Sequence, residues 1–97
     1  MITTKQRAEL RAMANSIDTI FQIGKGGIGD ALIKQVEDAL KARELIKMRV
    51  LDNSIFSAKE AAQEISEKTD SDVVQVIGTK FVLYKKNEKE PVIKLSK

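Results

Sequence analysis

Four glycines lie within six consecutive residues, and their spacing is typical of two different phosphate-binding turns. The stretch reads QIGKGGIGDAL. Gly24, Gly26 and Gly29 match the G-x-G-x-x-G spacing of dinucleotide-binding turns. Gly24 and Gly27, with Lys25 and Gly26 between them, match a GxxG loop of the kind that grips an RNA backbone. A third interpretation is that the glycines only allow a tight turn.

The segments on either side of the glycines are predicted to be a strand and a helix. Residues 19–23, TIFQI, are rich in β-branched and aromatic residues, which favours a strand. Residues 30–43 are predicted to form a helix, because their apolar residues recur at helical spacing: Leu32, Ile33, Val36 and Leu40. A phosphodiester could then approach the loop closely, because glycines carry no side chain. Backbone N–H groups at the helix start and the Lys25 ammonium would supply the positive field.

The dinucleotide interpretation is the weaker of the two. Acidic residues do follow at a suitable distance, at Glu44 and Asp52. However, a dinucleotide-binding half begins with its strand inside a larger sheet, whereas here a helix comes first. The 97 residues leave no room for a second half. A dinucleotide-binding domain therefore stays a remote alternative.

Composition predicts a single domain over residues 1–97 and excludes most catalytic chemistry. The chain is 42% hydrophobic and 32% charged, which favours a packed core. It contains no cysteine and no histidine, so thiolate nucleophiles, imidazole bases and the usual zinc ligands are absent. We expect no enzyme activity, no cofactor and no metal. No apolar run approaches the roughly 18 residues of a membrane span, so we expect a cytoplasmic protein without membrane contact.

The predicted element order is α-β-α-β-α-β-β, an α/β (α+β) fold with a four-stranded mixed sheet. Capping boxes at Thr3 and Ser57 open the first and third helices. Right-handed crossovers should make the first three strands parallel, and Gly78 suits a hairpin turn before the fourth. The last two strands are apolar at nearly every position, which predicts cover on both faces, the second from the first helix. The remaining predicted elements cover residues 4–15, 45–51, 73–77 and 81–84.

Charge is distributed unevenly along the chain. Residues 52–79 carry six acidic residues and two lysines, whereas residues 80–97 carry six lysines and two glutamates. A basic surface of this kind suits a polyanion such as nucleic acid. Residues 86–97 are predicted to form a mobile basic tail. The acidic third helix supports an alternative, a protein-interaction module that docks a basic partner.

Five segments in order resemble the CRM domain (chloroplast RNA splicing and ribosome maturation), and most closely its stand-alone bacterial YhbY-like members: TKQR (4–7), QIGKGG (22–27), RELIK (43–47), VQVIG (74–78) and FVLY (81–84). The resemblance implies a fold similar to the carboxy-terminal domain of translation initiation factor three. It also implies RNA binding through the GxxG loop and association with precursors of the large ribosomal subunit.

The resulting hypothesis is a monomeric, non-enzymatic RNA-binding protein that assists assembly of the large ribosomal subunit by binding rRNA. Its candidate RNA-binding residues are the loop and a set of basic flanks: Gly24, Lys25, Gly26, Gly27, Lys5, Arg7, Arg11, Lys47, Arg49, Lys85 and Lys86. The basic residues of the first helix and second strand have an equally simple interpretation as solvated charge. Tyr84 is expected in the core rather than stacked on a base.

Overall fold

The computed structural model describes residues 2–95 and has the predicted order of elements. Met1, Ser96 and Lys97 lie outside the described residues. The elements are α1 (Thr4–Ala14), β1 (Thr19–Ile23), α2 (Asp30–Arg43), β2 (Leu45–Val50), α3 (Ala58–Thr69), β3 (Asp72–Ile77) and β4 (Lys80–Tyr84). Within residues 2–95, every helix is too short or too polar to span a bilayer.

Both predicted capping boxes are formed. The Thr3 hydroxyl accepts a hydrogen bond from the Gln6 N–H at 3.1 Å, and the Gln6 side chain accepts from the Thr3 N–H at 3.0 Å. Ser57 and Glu60 make the same exchange at the start of α3. The backbone N–H of Ser57 stabilises the carboxylate, so the pKa of Glu60 is lowered from its ordinary value. These caps fix where α1 and α3 begin.

The four strands form one mixed sheet in the order β1-β2-β4-β3. β1 pairs with β2 in parallel, and β4 pairs antiparallel with both β2 and β3. β1, β2 and β3 therefore run in the same direction, as predicted. We call the end of the sheet that carries residues 24–29, 51–57 and 78–79 the loop end. The opposite end, where β4 leads into residues 85–95, is the tail end.

A hydrophobic core lies on each face of the sheet. The larger cluster packs α2 and α3 against one face and includes Ile23, Val36, Ile65 and Phe81. The smaller cluster packs α1 against the other face: Leu10, Ala14, Leu45, Val74, Val82 and Tyr84. The prediction that α1 covers the second face is confirmed. Tyr84 is 4% exposed, which places it in the core.

The prediction that β3 is covered on both faces is wrong. β4 is buried from Phe81 to Tyr84, but β3 ends with Val76 and Ile77, which are 40% and 62% exposed. The reason is that β3 is an edge strand, and α1 meets it near its beginning. There the Arg7 guanidinium donates to the carbonyl oxygens of Val73 and Val74. The half of β3 at the loop end therefore stays open.

Glu44, directly after α2, attaches the basic tail to the domain. It is completely buried, and its carboxylate accepts hydrogen bonds from the backbone N–H groups of Asn87, Val92 and Ile93, each at 2.6 Å. Ile93 and Leu95 also pack against the smaller core. None of residues 86–95 is in a strand. The predicted mobility of the tail stays a prediction.

Candidate nucleic-acid interface

The glycine loop follows β1 at the loop end and closes as a four-residue turn. The Gly27 N–H donates to the Gly24 carbonyl at 3.1 Å, which leaves Lys25 and Gly26 at the corner of the turn. Both corner residues are exposed. Because its N–H is used inside the turn, Gly27 cannot offer that donor to a phosphate. Within this turn, the exposed groups that a ligand can reach are those of Lys25 and Gly26.

The glycines in this loop have different reasons for being glycine. Gly27 has a φ of +72°, a conformation that side chains rarely adopt. A Cβ at Gly24 would lie 3.3 Å from Asn53 Oδ1, so a side chain at this position would be in tight contact with Asn53. A Cβ at Gly26 would meet no atom within 4 Å, and the backbone there has no positive φ. Neither packing nor backbone conformation within residues 2–95 therefore requires a glycine at position 26.

The helix that follows the loop begins without a side-chain cap. Its N-cap is Gly29, whereas α1 and α3 begin with Thr3 and Ser57 as caps. The first-turn N–H groups of α2 consequently have no capping side-chain acceptor among residues 2–95, and the helix dipole favours a negative charge at this end. Asp30, which is exposed, already places one carboxylate in this first turn.

A second loop, which the sequence analysis did not identify, lies against the glycine loop. Residues 51–57 follow β2, and the Leu51 N–H donates to the Ile23 carbonyl at 2.8 Å. A Cβ at Gly27 would lie 3.6 Å from the Phe56 ring, and Asn53 borders Gly24. The parallel pairing of β1 and β2 could have predicted this contact, because the loops after two parallel strands leave the sheet at the same end.

Lys47 and Arg49 lie on the face of the sheet that α1 covers. Their neighbours Ile46, Met48 and Val50 belong to the larger core on the opposite face, and side chains alternate along a strand. Arg49 is half-buried, and its Nε atom is buried without a hydrogen-bond partner among the described residues.

Arg49 belongs to one row of paired residues that crosses the sheet near the loop end. It pairs in register with Gln22 on β1 and with Lys80 on β4, and Lys80 pairs in turn with Ile77 on β3. Neighbouring strands are about 4.8 Å apart, so Lys80 lies roughly 10 Å from β1. Lys80 is exposed and was missed as a candidate. Arg49 and Lys80 together extend the positive charge of the glycine loop across the sheet.

The other basic candidates are not brought to the glycine loop. Lys85 and Lys86 follow β4 at the tail end, and the Lys85 ammonium donates to the Thr69 carbonyl at 2.9 Å. Arg7 is bonded to β3, as described above, while Lys5 and Arg11 are exposed on α1. A strand of five residues is roughly 16 Å long, so the two ends of the sheet form separate basic regions.

The tail end has its own cleft, with a volume of about 560 Å³. Its charged lining is mixed rather than basic, with four lysines and three glutamates: Lys41, Lys85, Lys86, Lys89, Glu37, Glu88 and Glu90. Glu44, one of the two acids that the dinucleotide interpretation used, is buried against the tail and does not border the glycine loop. Within residues 2–95, no cluster of three acidic side chains could hold a metal ion.

Known proteins of similar sequence are named as RNA-binding proteins. The protein named "Probable RNA-binding protein YqeI" from Bacillus subtilis is 43% identical over 95 residues, which cover 98% of this chain and 99% of that protein. An "RNA-binding protein" from Haemophilus influenzae is 28% identical over 91 residues, 94% of this chain and 92% of that protein.

The fold also matches a solved structure. The solution structure of the protein SAV1595 from Staphylococcus aureus superposes with a TM-score of 0.81 at 49% sequence identity, over 99% of this chain and all of that one. The sequence-family model of the CRS1 / YhbY (CRM) domain matches residues 2–85, from α1 through β4. The chain therefore belongs to the CRS1/YhbY (CRM) domain family.

Proposed function

We propose that the protein binds rRNA by gripping its backbone at the glycine loop and thereby assists assembly of the large ribosomal subunit. It does so in the cytoplasm as a monomer, without a cofactor and without catalysing a reaction. Membership of the CRM family and the RNA-binding names of its relatives support RNA as the partner. The observation that carries the proposal is Gly26, an exposed glycine that the fold itself does not require.

The loop can hold a phosphodiester because it combines open backbone with positive charge. At Gly26 the backbone is accessible from outside, and the adjacent Lys25 is exposed. The uncapped N–H groups at the start of α2 lie next to the same turn. Arg49 and Lys80 are placed to contact further phosphates as the strand of RNA crosses the sheet. Lys47 lies on the same face of β2, two residues further from the loop end than Arg49.

The basic flanks on α1 and at the tail end form a second, electrostatic contact in this proposal. Lys5, Arg11 and Lys86 are exposed and free to approach phosphate. Arg7 and Lys85 contribute chiefly by holding α1 and the tail in position, since both donate hydrogen bonds to backbone carbonyls.

Two variants at position 26 test whether the glycine loop binds the RNA backbone. We expect Gly26→Asp to fold normally and to bind a large-subunit rRNA fragment at least tenfold more weakly, because its carboxylate repels the phosphate. Gly26→Ala should have a smaller effect. Gln63→Glu, which adds one negative charge on the exposed face of α3, is the matched control and should bind like the parent. Circular dichroism checks the fold. Unchanged binding by Gly26→Asp would show that the loop is only a turn.

The ribosomal part of the proposal needs a test in cells. Crosslinking followed by sequencing of the attached RNA should recover large-subunit rRNA and its precursors, and Gly26→Asp should lose these crosslinks. Retention of ribosomal proteins instead, abolished by neutralising Glu64 and Glu67 on α3, would favour the protein-interaction module. Purified protein should hydrolyse neither nucleotides nor RNA above the level of a mock purification.

A further inference from the structure

The most exposed of the large apolar side chains that the structure describes stands on a firmly held loop. Ile55 is 78% exposed, in the segment between β2 and α3. The Ser54 hydroxyl donates to the Phe56 carbonyl and accepts from the Phe56 N–H, both at 3.0 Å. The Ser54 N–H also donates to the Leu51 carbonyl at 3.0 Å. Ile55 is therefore held at the tip of a braced turn, with its side chain in solvent.

Two residues close to Ile55 in sequence border the glycine loop. Asn53 is next to Gly24, and the Phe56 ring is next to Gly27. Phe56 also packs against the larger core, which fixes the loop to the domain. Ile55 and Asn53, both exposed residues, thus belong to the loop that borders the turn carrying Lys25.

An apolar side chain beside a phosphate-binding turn matches the chemistry of a nucleotide. The phosphate is anionic, whereas the face of a base is apolar and its edge offers hydrogen-bond donors and acceptors. Lys25 supplies a cation, Ile55 an apolar contact and Asn53 both a donor and an acceptor. In a duplex the base faces are stacked on one another, so only an unpaired nucleotide can present its face to Ile55.

We propose that Ile55 and Asn53 form a base-contacting subsite, and that the protein prefers an unpaired RNA segment whose backbone is held at Lys25 and Gly26. The inference rests on the proposed function and specifies the form of RNA that it takes. In this arrangement the base packs against Ile55 while the Asn53 amide bonds to its edge. The glycine loop supplies the charge-dependent part of the affinity, and the neighbouring loop supplies the part that is independent of salt.

Four variants and two RNAs separate these contributions. A single-stranded oligonucleotide of mixed sequence and the duplex of the same length are titrated at several salt concentrations. Ile55→Ala should bind the single strand about five- to tenfold more weakly, the effect of burying roughly half of an isoleucine side chain. The slope of log Kd against log salt should not change. Lys25→Ala should instead reduce the magnitude of that slope by roughly 0.7 to 0.9.

Val92→Ala is the matched control, because Val92 is an aliphatic residue 60% exposed at the tail end. It should bind like the parent. Parent-like binding by Ile55→Ala, with weaker binding by Gly26→Asp, would overturn the subsite and leave the proposed function in place. An equal loss on single strand and duplex would also overturn the base contact. If the parent protein binds neither RNA, the proposed function fails and this inference fails with it.

Discussion

The carboxylate of Glu44 accepts a hydrogen bond from the backbone N–H of Ile93 at 2.6 Å, across 49 positions of sequence. Glu44 has a φ of +64°, where a glycine would be less strained. The contacts to the tail explain why a glutamate is nevertheless suited to this position. Its side chain gives three tail N–H groups an acceptor at the carboxyl end of α2.

Replacing Glu44 should detach the tail. We expect Glu44→Gln to lower the free energy of unfolding by about 2 to 3 kcal/mol, because three N–H groups lose a charged acceptor. Urea denaturation measures this loss, and faster trypsin cleavage after Lys89 or Lys94 reports release of the tail. Glu88→Gln changes an exposed acid of the same tail and should stay within about 0.5 kcal/mol of the parent. Equal stability of the two variants would contradict the role of Glu44.

The two neighbouring glycines of the loop should respond oppositely to alanine. Gly27→Ala places a side chain at a φ of +72° and should cost about 1 to 2 kcal/mol of stability. Gly26→Ala has open space and no positive φ, so we expect a change between zero and a gain of about 1 kcal/mol. Thermal or urea unfolding in the absence of RNA decides between these outcomes. A large loss at Gly26 would remove the argument that the fold does not require this glycine.

Lys80 should contribute to RNA affinity although it is distant in sequence from the glycine loop. Lys80→Ala removes one cation from the row with Arg49 and should reduce the magnitude of the log–log salt slope by roughly 0.7 to 0.9. Lys68→Ala, at an exposed position of α3 beside Glu64, is the control and should leave the slope unchanged. If the two variants behave alike, the proposal that RNA crosses the sheet along Arg49 and Lys80 is wrong.

Arg7 should matter for stability more than for RNA. Its guanidinium bonds to two carbonyls of β3, so Arg7→Ala should lower the free energy of unfolding by about 1 to 3 kcal/mol. The salt slope of RNA binding should stay close to the parent value. Arg11→Ala, one turn along α1 at an exposed position, should show little loss of stability. A reduced slope without a loss of stability in Arg7→Ala would identify Arg7 as a phosphate contact instead.

Tyr84 provides a pH-dependent test of the smaller core. Burial raises its pKa above the ordinary value of 10.0, and the carboxylates of Glu44, Asp72 and Glu88 add to the effect. The fold therefore favours the neutral phenol, and this stabilisation is complete below pH 10.0 and is lost as the pH rises through the higher pKa of the folded state. Because the chain has one tyrosine, tyrosinate absorbance should titrate later in the folded protein than in urea.

Tyr84→Phe is the matched variant for this titration. Above pH 10.0 the parent should lose stability faster than Tyr84→Phe, because only the parent has a phenol to ionise. Coincident pH profiles of unfolding for the two proteins would show that the tyrosine is not buried in this way.

Local sequence signals were sufficient to predict the elements. The capping boxes at Thr3 and Ser57 placed two helix starts, and apolar periodicity placed the strands within one or two residues. These features depend on neighbouring residues, which the sequence shows directly. The openness of β3 could not be read in the same way, because Val76 and Ile77 look like core residues until their position at the sheet edge is known.

The candidate site was predicted in part for a similar reason. The spacing of the glycines identified the loop, but its neighbours Asn53 and Ile55 come from a segment almost thirty residues later. Lys80 joins Arg49 only through the pairing of β2 with β4. Arg7 looked like a surface cation, and its bonds to β3 depend on how α1 crosses the sheet. Each of these contacts is set by tertiary packing rather than by local pattern.

The strand order β1-β2-β4-β3 also has a consequence for the kinetics of folding. β4 is the last strand along the chain, yet it lies between β2 and β3 and pairs with both. β3 and β4 are separated by two residues and can pair locally, but until this hairpin docks on β2, both β2 and β4 present an unpaired hydrogen-bonding edge, which is a template for pairing with another molecule. Refolding should therefore be limited by a late, long-range step. Slow folding at high protein concentration would favour aggregation through these two edges.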